Sequence, residues 1–176
     1  MYLDIVLNEA RKNEWDRILS FNYPGQVIGC SEEEIQEIEQ GVTLTLPPSY
    51  KEFLRFAGKG LGMFGAGSDI FYDEVDLIEL QQDARDILVE NRFPQTLPDD
   101  AFVFWMHGGY MFCFFRTSEG GNPPVHFYRE SFKENFAWNY HPSFTDFLIL
   151  RMKADAGHLE NARMTEERIA RDWTRD

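Results

Sequence analysis

Two runs of aromatic and aliphatic residues, Ala101 to Met106 and Tyr110 to Arg116, stand on either side of His107-Gly108-Gly109. Each run is too short for a stable helix and too apolar for a loop. Glycine pairs supply the positive backbone angles that a tight reversal between twisted strands requires. The segment is therefore expected to be an antiparallel hairpin. Phe102, Phe104, Trp105, Phe112, Phe114 and Phe115 load both of its faces with rings. Both faces must be covered, and only helices elsewhere in the chain can do it.

Those helices have their own signals. Leu3 to Leu19 carries a helical apolar stripe at Leu3, Leu7, Ala10, Ile18 and Leu19, ended by Pro24-Gly25. Ser31-Glu32-Glu33-Glu34 has capping-box spacing and opens a helix with Ile35 and Ile38, ending near Gly41. Leu46-Pro47-Pro48-Ser49 starts another, with Tyr50, Phe53, Leu54 and Ala57 on one face and Gly58 as its stop. Leu77, Leu80, Ala84, Ile87 and Leu88 mark a helix closing near Asn91. Ser143 and Asp146 open the last, with Phe144, Phe147, Leu148 and Met152 inward, and Glu160 to Asp176 continues as a charged helix. Asp69 to Tyr72 and Val125 to Glu130 read as further strands. Helices gathered around successive antiparallel strands give an α+β fold, with an antiparallel or mixed sheet flanked by helices. One domain is expected over 1–176: a core of about 31–152, an N-terminal helix in 1–24 and a helical extension in 153–176.

Charge narrows the partners. The net charge is −13, and between Gly60 and Tyr128 there are 11 acidic and 3 basic residues. A broad basic surface for nucleic acid or an anionic membrane is excluded. No apolar run reaches the length of a membrane helix, and the start of the chain does not read as a secretory signal. Two cysteines, Cys30 and Cys113, fit a reducing compartment, so a cytoplasmic location is expected.

Chemistry-bearing motifs are weak. Gly60-Leu61-Gly62-Met63-Phe64-Gly65 spells a dinucleotide fingerprint, but a helix precedes it and a strand is expected after it, the reverse of what pyrophosphate binding needs. His107, His126, His141 and His158 lack metal-site spacing and are expected to be half-exposed sheet and loop residues, with His107 and His126 as potential neighbours. No nucleophile sits beside a base. No catalytic residue, metal or cofactor is expected, and the chain reads as a binding protein, not an enzyme. The expected partner-binding set is Asp69, Asp73, Glu74, Asp76, Asp99, Asp100 and Glu119 as an acidic surface, with Trp138 and Tyr140 as anchors on a loop-like stretch. A third reading makes the Gly58 to Gly67 loop a lid over a small ligand.

Several pieces occur together in order: Leu46-Pro47-Pro48-Ser49-Tyr50-Lys51-Glu52-Phe53-Leu54, Leu97-Pro98-Asp99-Asp100, the Gly108-Gly109-Tyr110 hairpin, Pro124-Val125-His126-Phe127-Tyr128 and Ser143-Phe144-Thr145-Asp146-Phe147-Leu148. This succession, over about Ser31 to Met152, resembles the SMI1/KNR4 family, also called the SUKH superfamily. The resemblance implies an α+β fold and a protein-binding role without catalytic residues. Bacterial members resemble immunity proteins that neutralise polymorphic toxins, many of them nucleases. Fungal members act as scaffolds in cell-wall (glucan) synthesis signalling. An acidic protein suits a basic toxin domain as partner, and a regulatory scaffold is the alternative.

Overall fold

The computed structural model describes residues 1–72 and 76–173, with side chains described as far as Glu167. The aromatic hairpin is at its centre. Gly108 and Gly109 both take positive φ, at 60° and 69°, and reverse β3 (Ala101–His107) into β4 (Met111–Arg116). β5 (Val125–Arg129) and β6 (Ala137–His141) follow, giving one antiparallel sheet in the order β3-β4-β5-β6. A register shift between Val103 and Trp105 breaks the alternation of β3. As a result Phe104 and its neighbour Trp105 both meet the last helix, through Phe147.

Helices cover both faces. On one side lie α4 (Pro48–Ala57) and α6 (Phe144–Trp173). The Tyr50 ring sits 5.3–5.4 Å from those of Phe102, Phe115 and Phe144, so the aromatic face of α4 closes directly on the sheet. On the other side, α5 (Glu79–Glu90) buries Leu80, Ala84 and Leu88, and Phe93 and Phe136 pack on Tyr128. Ser31 and Glu34 complete the expected capping box at the start of α3 (Glu32–Val42). α1 (Tyr2–Lys12) and α2 (Trp15–Ile18) pack against α6.

The outer edge of β3 is closed by side-chain and local backbone contacts. Gln81 of α5 donates to Val103 O (2.8 Å) and accepts from Val103 N–H (2.7 Å), as a neighbouring strand would. Asp69 forms an isolated bridge with Met106 further along. These contacts satisfy backbone groups that would otherwise invite a foreign strand.

Four expectations need correction. Asp69 to Tyr72 is not a strand: Asp69 forms an isolated bridge with Met106, and the Tyr72 N–H donates to Gly58 O (2.8 Å) and not to β3. The first helix is two, since Glu14 takes a left-handed φ of 57° that ends α1 before α2. The Gly-rich connection contains β2 (Gly60–Leu61), paired with β1 (Val27–Ile28) in a second small sheet. The stretch holding Trp138 and Tyr140 is no loop but the edge strand β6. The expected charged helix beyond Glu160 is continuous with α6. Ile169, Ala170 and Trp173, which the sequence places on one side of that helix, and Arg171, expected from its spacing to pair with Glu167, lie outside the described side chains.

Candidate functional site

The expected acidic set does not form one surface. Asp99, Asp100 and Glu119 lie at the end of the sheet where β3 begins and β4 finishes. Asp69 bridges Met106, five residues along β3 and so roughly 16 Å away. Asp76 is occupied as a helix cap, its Oδ1 accepting from the amides of Ile78 (2.8 Å) and Glu79 (3.2 Å). Asp73 and Glu74 lie outside the described residues.

At the β3/β4 end, Asp100 accepts from Arg116 Nε (2.9 Å) and from the Ser118 hydroxyl, and its carbonyl accepts from Thr117 N–H. Partial burial pushes the Asp100 carboxyl up, but the bonds from Arg116 and Ser118 outweigh it and hold the group below its ordinary range. Asp99, beside it, is exposed.

Glu119 joins this strip to the aromatic pair. Its Oε2 lies 2.8 Å from Nε2 of His126, and Nδ1 of the same ring accepts the Asn139 amide at 3.0 Å. The backbone bond fixes Nδ1 as the acceptor, so Nε2 carries the proton and donates to Glu119. Both nitrogens are thus committed, and no lone pair is left to serve as a general base. His126 is only 1% exposed, against the expectation of a half-exposed residue. It is also no neighbour of His107: it pairs with Phe114, while His107 pairs with Met111 at the hairpin end.

The His126 bond to Asn139 marks an irregularity that aims the two anchors. Between the Val125–His141 and Phe127–Ala137 pairs, β6 spends four residues where β5 spends two, and Asn139 takes φ 53°. Strict alternation would put Trp138 and Tyr140 on one face. Instead Trp138 packs on His126 (4.8 Å), Phe136 and Phe114, while Tyr140 stacks on Phe127 (4.9 Å), the residue after His126 and hence on the opposite face of β5. Trp138 is 43% and Tyr140 56% exposed, so each ring has one side on the sheet and one in solvent. The edge strand therefore presents an aromatic to each side, with Glu119 beside the Trp138 face.

Tyr140 also walls a cleft of about 230 Å³ between the sheet and α6, with Trp105, Phe127, Phe147, Leu150 and Arg151 around it. Burial pushes His141, at the same rim, below its ordinary pKa, with Asp146 acting against the shift.

The Gly58 to Gly67 loop is tied down. Gly62 takes φ +56°, and a Cβ there would lie 2.0 Å from Leu19 O. The Gly65 amide donates to Asp155 Oδ2 of α6 at 2.9 Å, and Asp155 pairs with Arg151 (2.8 Å). The fingerprint glycines serve close packing onto two neighbours, not phosphate. Sequence reasoning passed over Asp155, although a charged residue one turn beyond Met152 on the buried stripe of α6 is the available signal. Ser68 Oγ lies 3.0 Å from His107 Nδ1, but Ser68 is 7% exposed and so shielded from a substrate. Among the described residues, no group of three or more His, Cys, Asp or Glu is placed to hold a metal ion, and no helix is long and apolar enough to cross a membrane.

Comparison with known proteins agrees with the architecture. The family model described as SMI1 / KNR4 family (SUKH-1) matches residues 29–150, more than half of the chain. No curated protein matches.

Proposed function

The chain belongs to the SMI1/KNR4 family (SUKH-1), and from that premise we propose that it is a non-catalytic protein-binding domain, an immunity protein that neutralises a polymorphic toxin in the cytoplasm. The whole chain acts as one unit in this reading, with the N-terminal helices and the extension of α6 completing the core. The observation that carries it is the pair Trp138 and Tyr140, half in solvent on opposite faces of the edge strand β6, with the Glu119 carboxylate joined to the Trp138 side through His126. Half-desolvated aromatics with fixed backing rings make effective interface anchors. The Glu119 carboxylate beside them favours a basic partner, and the net charge of −13 speeds its approach. A toxin domain that holds phosphate backbone has that basic character.

The test is recovery of partners from the native organism on the tagged protein, eluted in steps of salt, followed by affinity measurements on variants. One basic protein released by salt is expected. Trp138→Ala should then weaken its binding by about 2 kcal/mol or more, roughly thirtyfold, and Asp99→Lys with Glu119→Lys should slow association. Unchanged affinity in both variants rejects this surface. Recovery of salt-insensitive complexes in place of a basic toxin points to the regulatory-scaffold role.

A further inference from the structure

Asn139 stands between Trp138 and Tyr140 and holds a left-handed φ of 53°, a conformation that residues other than glycine keep only where their surroundings impose it. The flanking pairs, Val125–His141 and Phe127–Ala137, leave this stretch of β6 out of register with β5. Its amide is fastened instead to a side chain, donating to Nδ1 of His126 at 3.0 Å. The same imidazole lies under Trp138, their ring centres 4.8 Å apart. One buried ring therefore holds both the backbone turn and the indole that the turn aims. The Asn139 bond exists only while Nδ1 keeps its lone pair. A second proton turns that acceptor into a donor facing the Asn139 N–H, and two donors cannot bond. Glu119 makes the charged state reachable, because its carboxylate, 2.8 Å from Nε2, pairs with an imidazolium and offsets the cost of burying it.

Few other groups compete for this role. On β4 the ring meets Phe114, which carries no charge. Behind Glu119 lies Arg116, which feels the Glu119 charge but is bonded to Asp100. On β6 the nearby titratable groups are Tyr140, which stacks on Phe127 on the opposite face, and His141, opposite Val125. Burial holds His141 below its ordinary pKa, with Asp146 acting against the shift.

We propose that His126 is a proton-operated latch for the Trp138 surface. With Nδ1 bare, the ring holds Asn139 and presents Trp138. With a proton on both nitrogens, it pairs with Glu119 and releases the Asn139 amide, and Trp138 leaves its seat. The bound arrangement is present at neutral pH and is lost as pH falls through the histidine range, so partner affinity falls in acid. This inference rests on the protein-binding reading and adds the regulation of that surface. His126, 1% exposed, is a positioning residue that acts through Asn139 and Trp138.

The experiment has two arms, the first needing no partner. The full chain labelled with nitrogen-15 is titrated from about pH 8 to about pH 5, and the His126 ring nitrogens, the Asn139 amide and the Trp138 indole N–H are followed. At the upper end the ring should carry its proton on Nε2 alone. As Nδ1 takes the second proton, the Asn139 and Trp138 resonances should shift with the same midpoint. His126→Asn places an amide oxygen near the position of Nδ1 and does not titrate, so both shifts should vanish. Glu119→Gln keeps an acceptor for the Nε2 proton without the charge, so the shared midpoint should move to lower pH; this variant decides the matter if His126→Asn does not fold. His141→Gln should leave both shifts in place. Asn139 and Trp138 resonances that stay still while His126 is protonated, or that follow His141, overturn the latch, as does a ring that takes no second proton before the chain unfolds in acid. In the second arm, the affinity of the recovered partner should fall at least tenfold between about pH 7.5 and about pH 5.5. That fall should be largely absent in His126→Asn or, where that variant does not fold, displaced to lower pH in Glu119→Gln. A fall unaltered by the variant overturns the link between latch and partner. Trp138→Ala without effect on affinity at neutral pH rejects the surface instead, whatever the first arm shows.

Discussion

Tyr50 combines the most central ring of the core with a hydroxyl that has no use there. Its ring meets Phe53, Phe102, Phe104, Phe115 and Phe144, and its oxygen finds no hydrogen-bond partner among the described residues. Burial accordingly pushes the phenol far above its ordinary pKa. A buried polar group without a partner bears its desolvation cost uncompensated. Tyr50→Phe keeps the ring contacts and removes that cost. It should leave stability unchanged or raise it by up to about 1 kcal/mol in urea unfolding. A loss larger than 1 kcal/mol would mean that the hydroxyl is satisfied, for instance by an ordered water. Cys113 shows the same logic without the conflict: burial raises its thiol pKa, which suits an inert core residue.

At the scale of elements, the two edges of the sheet are managed by different means. β3 is capped by Gln81, and β6 is made irregular by the left-handed Asn139. Gln81→Leu leaves both backbone groups of Val103 unpaired while keeping the side-chain volume. The expected cost is about 1–3 kcal/mol in urea unfolding, with self-association visible by light scattering as the edge opens. Gln81→Glu keeps the acceptor for Val103 N–H but cannot donate to its carbonyl, so its loss should be smaller. Equal stability of all three proteins would remove the clamp as a structural device. The same contrast explains what was legible beforehand. The hairpin, the Ser31 capping box and the aromatic face of α4 rest on local signals of spacing and turn chemistry, and they stand where they were expected. β6 was hidden because its Ala-Trp-Asn-Tyr-His run has no buried alternate face, and its strand character comes only from pairing with β5. The acidic set was legible as composition only. Capping by Asp76 is a local contact that a count of charges passes over, whereas the pairing of Asp100 with Arg116 and of Glu119 with His126 depends on the sheet bringing separate strands and their flanks together.

Across the whole molecule, three parts that are remote in sequence meet at one carboxylate. Asp155 of α6 is 7% exposed; it accepts the Gly65 amide from the loop after β2 and both reaches of Arg151, whose guanidinium in turn lies over Trp105 of β3. A buried pair is weak evidence for stability when compared with an apolar replacement, but removal of one member strands the other. Asp155→Ala is therefore expected to cost about 2–4 kcal/mol, below the range for fully buried pairs because the Arg151 side chain retains 24% exposure. Replacing the cation as well, in Arg151→Met with Asp155→Ala, should recover part of that loss, since no uncompensated charge then remains. The coupling between the two positions, read from a double-mutant cycle in urea, should lie above about 1 kcal/mol. Strictly additive losses would show that the loop is held by the Gly65 bond and apolar packing alone, and that the ion pair contributes nothing to fastening the loop and the sheet to α6.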